Sequence, residues 1–431
     1  MGKTLAIVCA APNGVAENRK PWMAPGAIPE LAAMVPKDID FETIGWDENA
    51  KGPVLPSLLS EASLVMLTGL TPSYDRLNEL ANVRKEHGKP VIAGGRDVIG
   101  WSIEDGGLDL LAKRYPSFCT TGMSQSLMAE ILSDCESGRL QQHYALPAGT
   151  PYEFVLPDRS VIRPSDYFAR YCVRSSVGCN RRCRWCTVGG SGLFLKPAEM
   201  LEAELASFNY PVFLDVSDSF AANREFITGT VLPIYKASGM RWGTEVTVDD
   251  LLGEDEGKLI TAMKRAGCAF VYIGIESVTR DGKIAGKSNR EMAETVITRC
   301  RREGIIVIGS LILDVFGDET VEETMRTIHW ARKWLDFAQF SNVAALPGCQ
   351  IRKDALAAGT IIETDWGKFG GAHPTLQHNL SKADRSKLLT QAYVEFSTIP
   401  QILRRTVRAR GVLKVPVYLG GIRYRRGIPG L

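Results

Sequence analysis

The 431-residue chain has little of what would mark a membrane protein or a nucleic-acid-binding protein. No apolar run approaches the roughly 20 residues that a membrane-spanning helix needs, so no membrane span is predicted. Lys and Arg number 51 and Asp and Glu number 49, and the net charge of +2 gives no basis for nucleic-acid binding. The short apolar start is interpreted as a β-strand rather than a signal peptide, and we expect a cytoplasmic protein.

Cysteine is too scarce for a disulfide scaffold, at ten residues in 431. Seven of the ten are scattered at no regular spacing, and most have apolar neighbours, which is typical of buried and inert thiols. These seven are Cys9, Cys119, Cys135, Cys172, Cys268, Cys300 and Cys349. The remaining three lie together in one short segment and carry the argument about function.

The clustered thiols are Cys179, Cys183 and Cys186, in a CxxxCxxC pattern after a predicted strand. Three thiolates in one loop can bind three corners of a 4Fe-4S cluster, which leaves the fourth iron without a protein ligand. Such an open position is what metal-based catalysis needs. The arginines at 181, 182 and 184 would add positive charge beside the thiolates.

Two other kinds of metal site use clustered cysteines, namely structural zinc sites and ferredoxin clusters. Structural zinc sites use four ligands in two pairs, and here no second pair is present and no histidine lies within about 30 residues. A ferredoxin would need a fourth cysteine, for which only Cys172 is close. The pattern therefore favours a three-cysteine cluster over either alternative.

The order of strands and helices predicts an α/β protein with two successive α/β units. Residues 1–140 read as a doubly wound, Rossmann-like domain, whose ligands would lie at the C-terminal ends of the strands. The Pro- and Tyr-rich segment 141–170 reads as a linker. Residues 171–350 contain about six βα units, which predict a partial (β/α)6 barrel with its site at the C-terminal mouth. Residues 351–431 are expected to form a small, mostly helical region that covers the active site.

The motif CxxxCx(aromatic)C, with Trp185 as the aromatic residue, resembles the signature of the radical S-adenosylmethionine (SAM) superfamily. In that family the open iron binds the amino and carboxylate groups of SAM, and reduction yields a 5′-deoxyadenosyl radical. The segments GIES at 274–277 and AQFSNVAALPGC at 338–349 resemble the subgroup that carries an N-terminal cobalamin-binding domain. The resemblance implies SAM contacts from four residues, namely Trp185, Asp218, Glu276 and Ser310. No catalytic residue is assigned.

By the same resemblance, the strand-end loops of residues 1–140 would bind cobalamin. The predicted contacts are Pro12, Gly69, Thr71, Ser73, Gly94, Gly95 and Ser124. The DxHxxG motif that supplies a histidine to cobalt is absent, as is common in this subgroup. The segment 122–125 departs from the acidic stretch usual there, so a flavodoxin-like domain that lost its ligand or docks a partner stays open. No GxGxxG fingerprint is present, which disfavours NAD.

The resemblance implies a cobalamin-dependent methyltransferase that transfers methyl to an unactivated carbon of a small-molecule or natural-product substrate. A flavodoxin or ferredoxin would supply electrons. Three alternatives stay open: a non-methylating cobalamin-dependent enzyme (cyclisation, ring contraction or oxidation), a radical SAM enzyme without cobalamin, and a non-catalytic iron–sulfur protein. Substrate contacts are expected from Phe369, His373 and His378, and Cys349 is expected to be a buried small residue.

Overall fold

The computed structural model describes residues 2–12, 20–253, 257–279 and 290–408. Within them the chain forms two six-stranded parallel sheets and one short antiparallel ribbon. Part of the predicted C-terminal region, residues 409–431, lies outside the described residues. No described helix is long and apolar enough to cross a membrane.

The N-terminal sheet has six strands, arranged side by side in the order β2-β1-β3-β4-β5-β6. They are β1 (Lys3–Cys9), β2 (Phe41–Asp47), β3 (Leu64–Thr68), β4 (Val91–Gly94), β5 (Phe118–Cys119) and β6 (His143–Tyr144). The helices are α1 (Ala27–Ala33), α2 (Glu48–Lys51), α3 (Pro56–Glu61), α4 (Tyr74–Glu86), α5 (Arg96–Ser102), α6 (Gly107–Arg114) and α7 (Gln125–Glu136).

Helices cover both faces of this sheet, and the side chains of β1 show why. Leu5 and Ile7 pack into one hydrophobic cluster, whereas Ala6 and Val8 pack into another on the opposite face. Alternation of this kind follows from the two-residue period of a strand, and burial of both faces is typical of parallel sheets. The predicted doubly wound domain is thereby confirmed.

One strand of this sheet lies in the segment that was predicted to be a linker. The two residues of β6 pair with Phe118 and Cys119 of β5. A strand of two residues has no period to recognise, and its place in the sheet depends on a partner 25 residues earlier. The domain boundaries at 140 and 170 stay a prediction.

The second sheet is the predicted partial barrel, and its strands lie in the order β14-β13-β12-β11-β10-β7. They are β7 (Cys172–Val173), β10 (Val212–Asp215), β11 (Arg241–Thr247), β12 (Cys268–Glu276), β13 (Ile306–Ile312) and β14 (Phe337–Ser341). A ribbon of β8 (Ser176–Val177) and β9 (Phe194–Leu195) flanks the cysteine motif. All five neighbouring strand pairs of the six-stranded sheet are parallel, which confirms the six βα units.

Helices surround this sheet on its outer face. They are α8 (Ala198–Ala206), α9 (Arg224–Phe226), α10 (Leu232–Ser238), α11 (Val248–Leu252), α12 (Lys258–Arg265), α13 (Arg290–Arg302) and α14 (Val321–Trp334). The C-terminal region adds α15 (Gln350–Ala358), α16 (Lys382–Phe396) and α17 (Ile399–Arg408). Local sequence fixes the start of α14, where Thr320 and Glu323 cap each other's backbone N–H groups in a capping box.

The two α/β units pack directly against each other, and α5 takes part in this contact. A methyl group on Gly100 would lie 2.7 Å from the carbonyl oxygen of Pro347, so the two backbones approach closely. Just beyond α5, Glu104 accepts hydrogen bonds from Arg352 Nε at 3.0 Å and from the backbone N–H of Gly348 at 2.8 Å. These contacts place the C-terminal ends of the strands in the first sheet near the mouth of the barrel.

Candidate active site

The cysteine motif lies in a loop that its own backbone closes. Cys179 pairs with Gly189 in an isolated parallel bridge, and Gly190 N–H donates to the Cys179 carbonyl at 2.9 Å. Gly178 has a φ of +87°, and a Cβ there would overlap the carbonyl oxygen of Gly192. Only glycine fits this position, because it needs both a left-handed backbone and close backbone contact.

Backbone N–H groups point at two of the three sulfurs. Arg181 N–H donates to Cys179 Sγ, and Val188 N–H donates to Cys186 Sγ, both at 3.4 Å. Hydrogen bonds to cysteine sulfurs stabilise thiolates and tune clusters. Among the described residues no three His, Cys, Asp or Glu side chains converge on a single metal ion. Three cysteines of one loop, two of them with backbone N–H donors at their sulfurs, form a donor set whose chemistry suits a cluster with one thiolate per iron corner.

The other seven cysteines differ from the motif in their chemistry. Burial raises the pKa of each of these thiols, to about 12 for Cys9, Cys172 and Cys300. A raised pKa leaves little thiolate at neutral pH, and thiolate is the form that binds metal. This agrees with the expectation that the scattered cysteines are inert, and Cys349 is fully buried.

The arginines of the motif offer less free positive charge to the thiolates than the sequence predicts. Arg181 donates to Asp250 at 2.7 Å and lies near Asp249, and Arg184 pairs with Asp354 at 2.6 Å. Two of the three motif arginines are therefore paired with carboxylates instead of offering free charge to the thiolates. Sequence could not reveal this, because Asp354 lies 170 residues along the chain from Arg184.

Asp218 lies beyond the end of β10, as predicted, and both of its oxygens are engaged. Oδ2 accepts from the backbone N–H of Gly178 at 2.9 Å, and Oδ1 accepts from Arg96 at 2.7 Å. Gly178 directly precedes Cys179, and Arg96 begins α5 of the N-terminal domain. Asp218 thus connects the motif to the other domain, and its predicted contact with SAM stays a prediction.

A second aspartate, missed from the sequence, supports the segment before the motif. Asp215 is fully buried and accepts from Tyr235 at 2.6 Å, Ser175 at 2.5 Å and Ser217 at 2.6 Å. Ser217 in turn accepts from the Ser176 N–H at 2.9 Å. A buried carboxylate with this many donors rigidifies its surroundings. The pattern DVSD contained both aspartates, and only Asp218 was singled out.

The inner face of the barrel carries polar side chains at adjacent register positions. Glu245 of β11 stands beside Tyr272 of β12, and Ser310 of β13 stands beside Gln339 of β14. Their neighbours in sequence, such as Val246 and Val271, pack outward under the helices. Tyr272 donates to Gln339 at 2.7 Å. The sequence singled out Ser310 but neither Glu245 nor Tyr272.

Two of these inner groups have raised pKa values. Glu245 is accessible to solvent at the barrel mouth, yet partial desolvation by the surrounding barrel raises its pKa, and the nearby charge of Asp218 raises it further. Burial also raises the pKa of Tyr272 to about 12, although a hydrogen bond with Ser310 opposes that shift. Perturbed groups that gather in a concave site are typical of functional sites.

Two acids occupy strained backbone positions at neighbouring strand ends. Glu276 closes β12 with a φ of +65° after a register shift, and Asp314 follows β13 with a φ of +51°. Both side chains are buried. For residues other than glycine such conformations are costly, and they concentrate at functional sites. The strained Glu276 belongs to the GIES motif, from which its contact with SAM is predicted.

The predicted substrate contacts have different surroundings. His378 Nδ1 lies 2.8 Å from Asp314 Oδ2, so this histidine is held next to the C-terminal end of β13. Phe369 is buried in a cluster that Trp185 also contacts, whereas His373 is exposed. Trp185 therefore joins the C-terminal region to the cysteine motif. The roles assigned to these four residues stay predictions.

The predicted cobalamin contacts gather at the C-terminal edge of the N-terminal sheet, and several are used locally. Ser73 donates to the Ala10 carbonyl at 2.8 Å, and Ser124 caps α7 by accepting from Leu127 N–H. Thr71 is buried, and a Cβ built on Gly94 would be in van der Waals contact with Cys119, whose carbonyl oxygen would lie 3.8 Å away. Gly95, at a φ of +87°, abuts Thr68. The remaining positions are Pro12, which is exposed, and Gly69, which is buried.

This edge has a feature that suits a large flat ligand. Leu70, between Gly69 and Thr71, is 58% exposed. An exposed leucine at this strand-end loop offers apolar surface that a broad cofactor would cover. The residues present therefore fit a corrin-sized group, without supplying a histidine ligand.

A second cross-domain contact lies beside the Arg96–Asp218 pair. Arg174, at the end of β7, forms an ion pair with Glu30 of α1 and donates to Tyr152 at 2.8 Å. Because Glu30 and Arg96 both follow strand-end loops of the N-terminal sheet, these two contacts show that this sheet edge faces the barrel mouth.

Comparison with known proteins supports this picture. Residues 173–331 match the radical SAM superfamily, so the chain carries a radical SAM domain. An uncharacterised methyltransferase of Pyrococcus horikoshii is 29% identical over 250 residues, which cover 54% of this chain and 53% of the relative. The chain thus spans about half the length of the curated relative it matches.

Two solved structures share the fold over most of the chain. OxsB, a cobalamin-dependent SAM radical enzyme with aqua-cobalamin and SAM bound, has a TM-score of 0.67 at 12% identity and covers 98% of this chain and 71% of its own. TsrM from Kitasatospora setae, a radical SAM methyltransferase with cobalamin and a 4Fe-4S cluster bound, has a TM-score of 0.62 at 14% identity and covers 84% and 76%. At these identities the likeness concerns the fold, and it confirms the predicted pairing of a Rossmann-like domain with a radical SAM barrel.

Proposed function

We propose that this chain, which carries a radical SAM domain and has the fold of cobalamin-dependent radical SAM enzymes, is a cobalamin-dependent radical SAM methyltransferase. Its substrate would be a small molecule or natural product methylated at an unactivated carbon. The observation that carries the proposal is the meeting of two strand edges across the Arg96–Asp218 and Arg174–Glu30 contacts. Ligands at those two edges would lie close enough to act on one substrate.

In this proposal Cys179, Cys183 and Cys186 bind the cluster, and SAM and cobalamin occupy the barrel mouth and the facing sheet edge. When bound, these groups supply a 5′-deoxyadenosyl radical and a transferable methyl group. The chain itself orients them. The N–H groups of Arg181 and Val188 stabilise two of the thiolates, and the backbone of Gly178 fixes the start of the loop.

The inner face of the barrel is assigned to SAM. Ser310, Gln339 and Tyr272 offer hydroxyl and amide groups at adjacent positions, which suits the hydroxyls and amine of a nucleoside ligand. Glu276, at the end of β12, is the proposed partner of the ribose, and Trp185 flanks the site from the motif. Glu245 is a carboxylate that sequence alone did not assign, and it faces the same space.

The sheet edge of residues 1–140 is assigned to cobalamin. Leu70, which is exposed, and Gly94 would contact the flat face of the corrin, with Gly69, Thr71 and Gly95 as close backbone neighbours. Ser73 and Ser124 form hydrogen bonds within this edge, and in this proposal they stabilise its loops. The C-terminal region, through the cluster of Phe369 and Trp185, would exclude water from the reaction.

The test is a product measurement on anaerobically reconstituted protein expressed with cobalamin. SAM is added with dithionite, or with flavodoxin kept reduced by its reductase and NADPH. Mass spectrometry then quantifies 5′-deoxyadenosine and S-adenosylhomocysteine, and absorbance gives the corrinoid content. We expect both products and stoichiometric corrinoid. Cys183→Ala should abolish both products, whereas Cys135→Ala, which removes a thiol outside the motif, should leave them unchanged.

The other outcomes identify the alternatives. Deoxyadenosine without S-adenosylhomocysteine, with corrinoid bound and a candidate substrate present, would replace the methyltransferase with a non-methylating enzyme. Deoxyadenosine from protein without corrinoid would indicate a radical SAM enzyme that does not use cobalamin. An intact cluster that cleaves no SAM would favour a non-catalytic iron–sulfur protein and overturn the proposal.

A further inference from the structure

The contact between Asp218 and Arg96 links the cysteine motif to the N-terminal domain through one carboxylate. Asp218 Oδ2 accepts from Gly178 N–H at 2.9 Å, and Oδ1 accepts from Arg96 Nη2 at 2.7 Å. Gly178 directly precedes Cys179, and the two paired side chains are 122 residues apart in sequence. The carboxylate thus binds the backbone of the residue that directly precedes the first proposed cluster ligand.

Arg96 reaches Asp218 only because α5 is docked on the barrel. Arg96 is the first residue of α5 and follows Gly95, whose φ is +87°. Farther along, Gly100 packs against the backbone of Pro347, and beyond the helix Glu104 binds Arg352. The pairing of Arg96 with Asp218 therefore reports that the two domains are in contact.

Other charges surround Asp218, and none replaces Arg96. Arg174 lies close enough to interact with Asp218, yet its own ion pair is with Glu30. Glu245 also lies nearby and is an acid. Arg96 is the cation directly paired with this carboxylate among the described residues.

We propose that Asp218 and Arg96 are a positioning pair that fixes the backbone before Cys179 and neutralises the carboxylate charge beside the cluster. The inference rests on the proposed function, because it requires a cluster at the three cysteines. A negative charge near a cluster opposes addition of an electron, and a nearby positive charge favours it. Docking of the N-terminal domain would thereby make the cluster easier to reduce.

The experiment is a redox titration of the reconstituted holoprotein with titanium(III) citrate, followed by electron paramagnetic resonance of the reduced cluster. Four variants are compared: Arg96→Gln, Asp218→Asn, the double variant, and Arg326→Gln as a control. Arg326 is an exposed arginine of α14, with 57% of its side chain accessible against 48% for Arg96.

The expected shifts differ in sign. Arg96→Gln removes the cation that is directly paired with the carboxylate and should move the reduction potential to a more negative value. Asp218→Asn leaves the arginine and should move it to a less negative value. The double variant should return close to the wild-type potential, and the control should not move. Single variants that shift in the same direction, or not at all, would overturn the inference.

A measurement on the cluster-free protein tests the positioning role separately. Amide hydrogen exchange at Gly178 should be about three- to tenfold faster in Asp218→Ala, because the N–H loses its acceptor. Asp218→Asn retains an amide oxygen and should exchange like the wild type. Equal exchange in all three proteins would overturn the positioning role. A wild-type protein that binds no cluster would overturn the proposed function as well, whereas an intact cluster with unmoved potentials would overturn only this inference.

Discussion

Removal of the Glu104 side chain should loosen the joint between the two α/β units. Glu104 and Arg352 come from different units, and their side chains are only 7% and 8% exposed. One Glu104 oxygen accepts from Arg352 Nε at 3.0 Å, and the other accepts from Gly348 N–H at 2.8 Å. Glu104→Ala therefore leaves a buried guanidinium and a backbone donor without this acceptor.

The expected loss of unfolding free energy is about 3 to 5 kcal/mol, the range for breaking one partner of a buried ion pair. Arg352 has little freedom to escape, because its guanidinium lies 5.3 Å from the Trp101 ring and 5.0 Å from the Trp366 ring. Glu104→Gln keeps an acceptor for Gly348 and should cost less, about 1 to 3 kcal/mol. Glu104→Gln combined with Arg352→Met should cost less than Glu104→Ala, because no charge is then buried.

The assay is urea unfolding, followed by tryptophan fluorescence for the interface and by far-ultraviolet circular dichroism for the whole chain. Comparison of both signals is needed because two packed units can unfold separately. The control is Glu136→Ala, which breaks the exposed pair of Lys3 and Glu136 and should cost at most about 1 kcal/mol. If Glu104→Ala costs no more than Glu136→Ala, the joint does not depend on this buried pair.

Two further predictions concern the motif loop and a buried acid. Gly178→Ala should reduce the iron bound after reconstitution to a small fraction of the wild-type amount, because the added methyl group overlaps the Gly192 carbonyl and a φ of +87° disfavours alanine. The control is Gly138→Ala, at a φ of +66° where no other atom is close. Equal amounts of iron in the two variants would contradict the packing argument. Burial raises the pKa of Asp97 from 3.8 to about 6, against the pull of Arg114. The folded protein then binds this proton more tightly than the unfolded chain does. Protonation of Asp97 therefore contributes up to about 3 kcal/mol to the free energy of unfolding below about pH 4, and this contribution is lost as the pH rises through about 6. Urea unfolding across that range should show this decline in wild type and less of it in Asp97→Asn; parallel curves for the two proteins would contradict it.

The sequence by itself determined the features whose signals are local. Three cysteines within eight residues specify the cluster motif, since the ligand spacing is a property of one loop. Strand alternation and helical periodicity specified both α/β units, because burial of a strand or helix face repeats at a fixed period. The strand β6 is not predicted, because two residues show no period.

Only the tertiary structure decided which charges meet. Arg96 pairs with Asp218 across 122 residues, and Arg352 pairs with Glu104 across 248. An ion pair needs its atoms within a few ångströms, and that distance is set by how the domains pack rather than by sequence spacing. For the same reason Asp218 was assigned to SAM from its place at a strand end. Packing of the two sheets also brings it to the backbone before Cys179 and to the facing domain, and its contact with SAM stays a prediction.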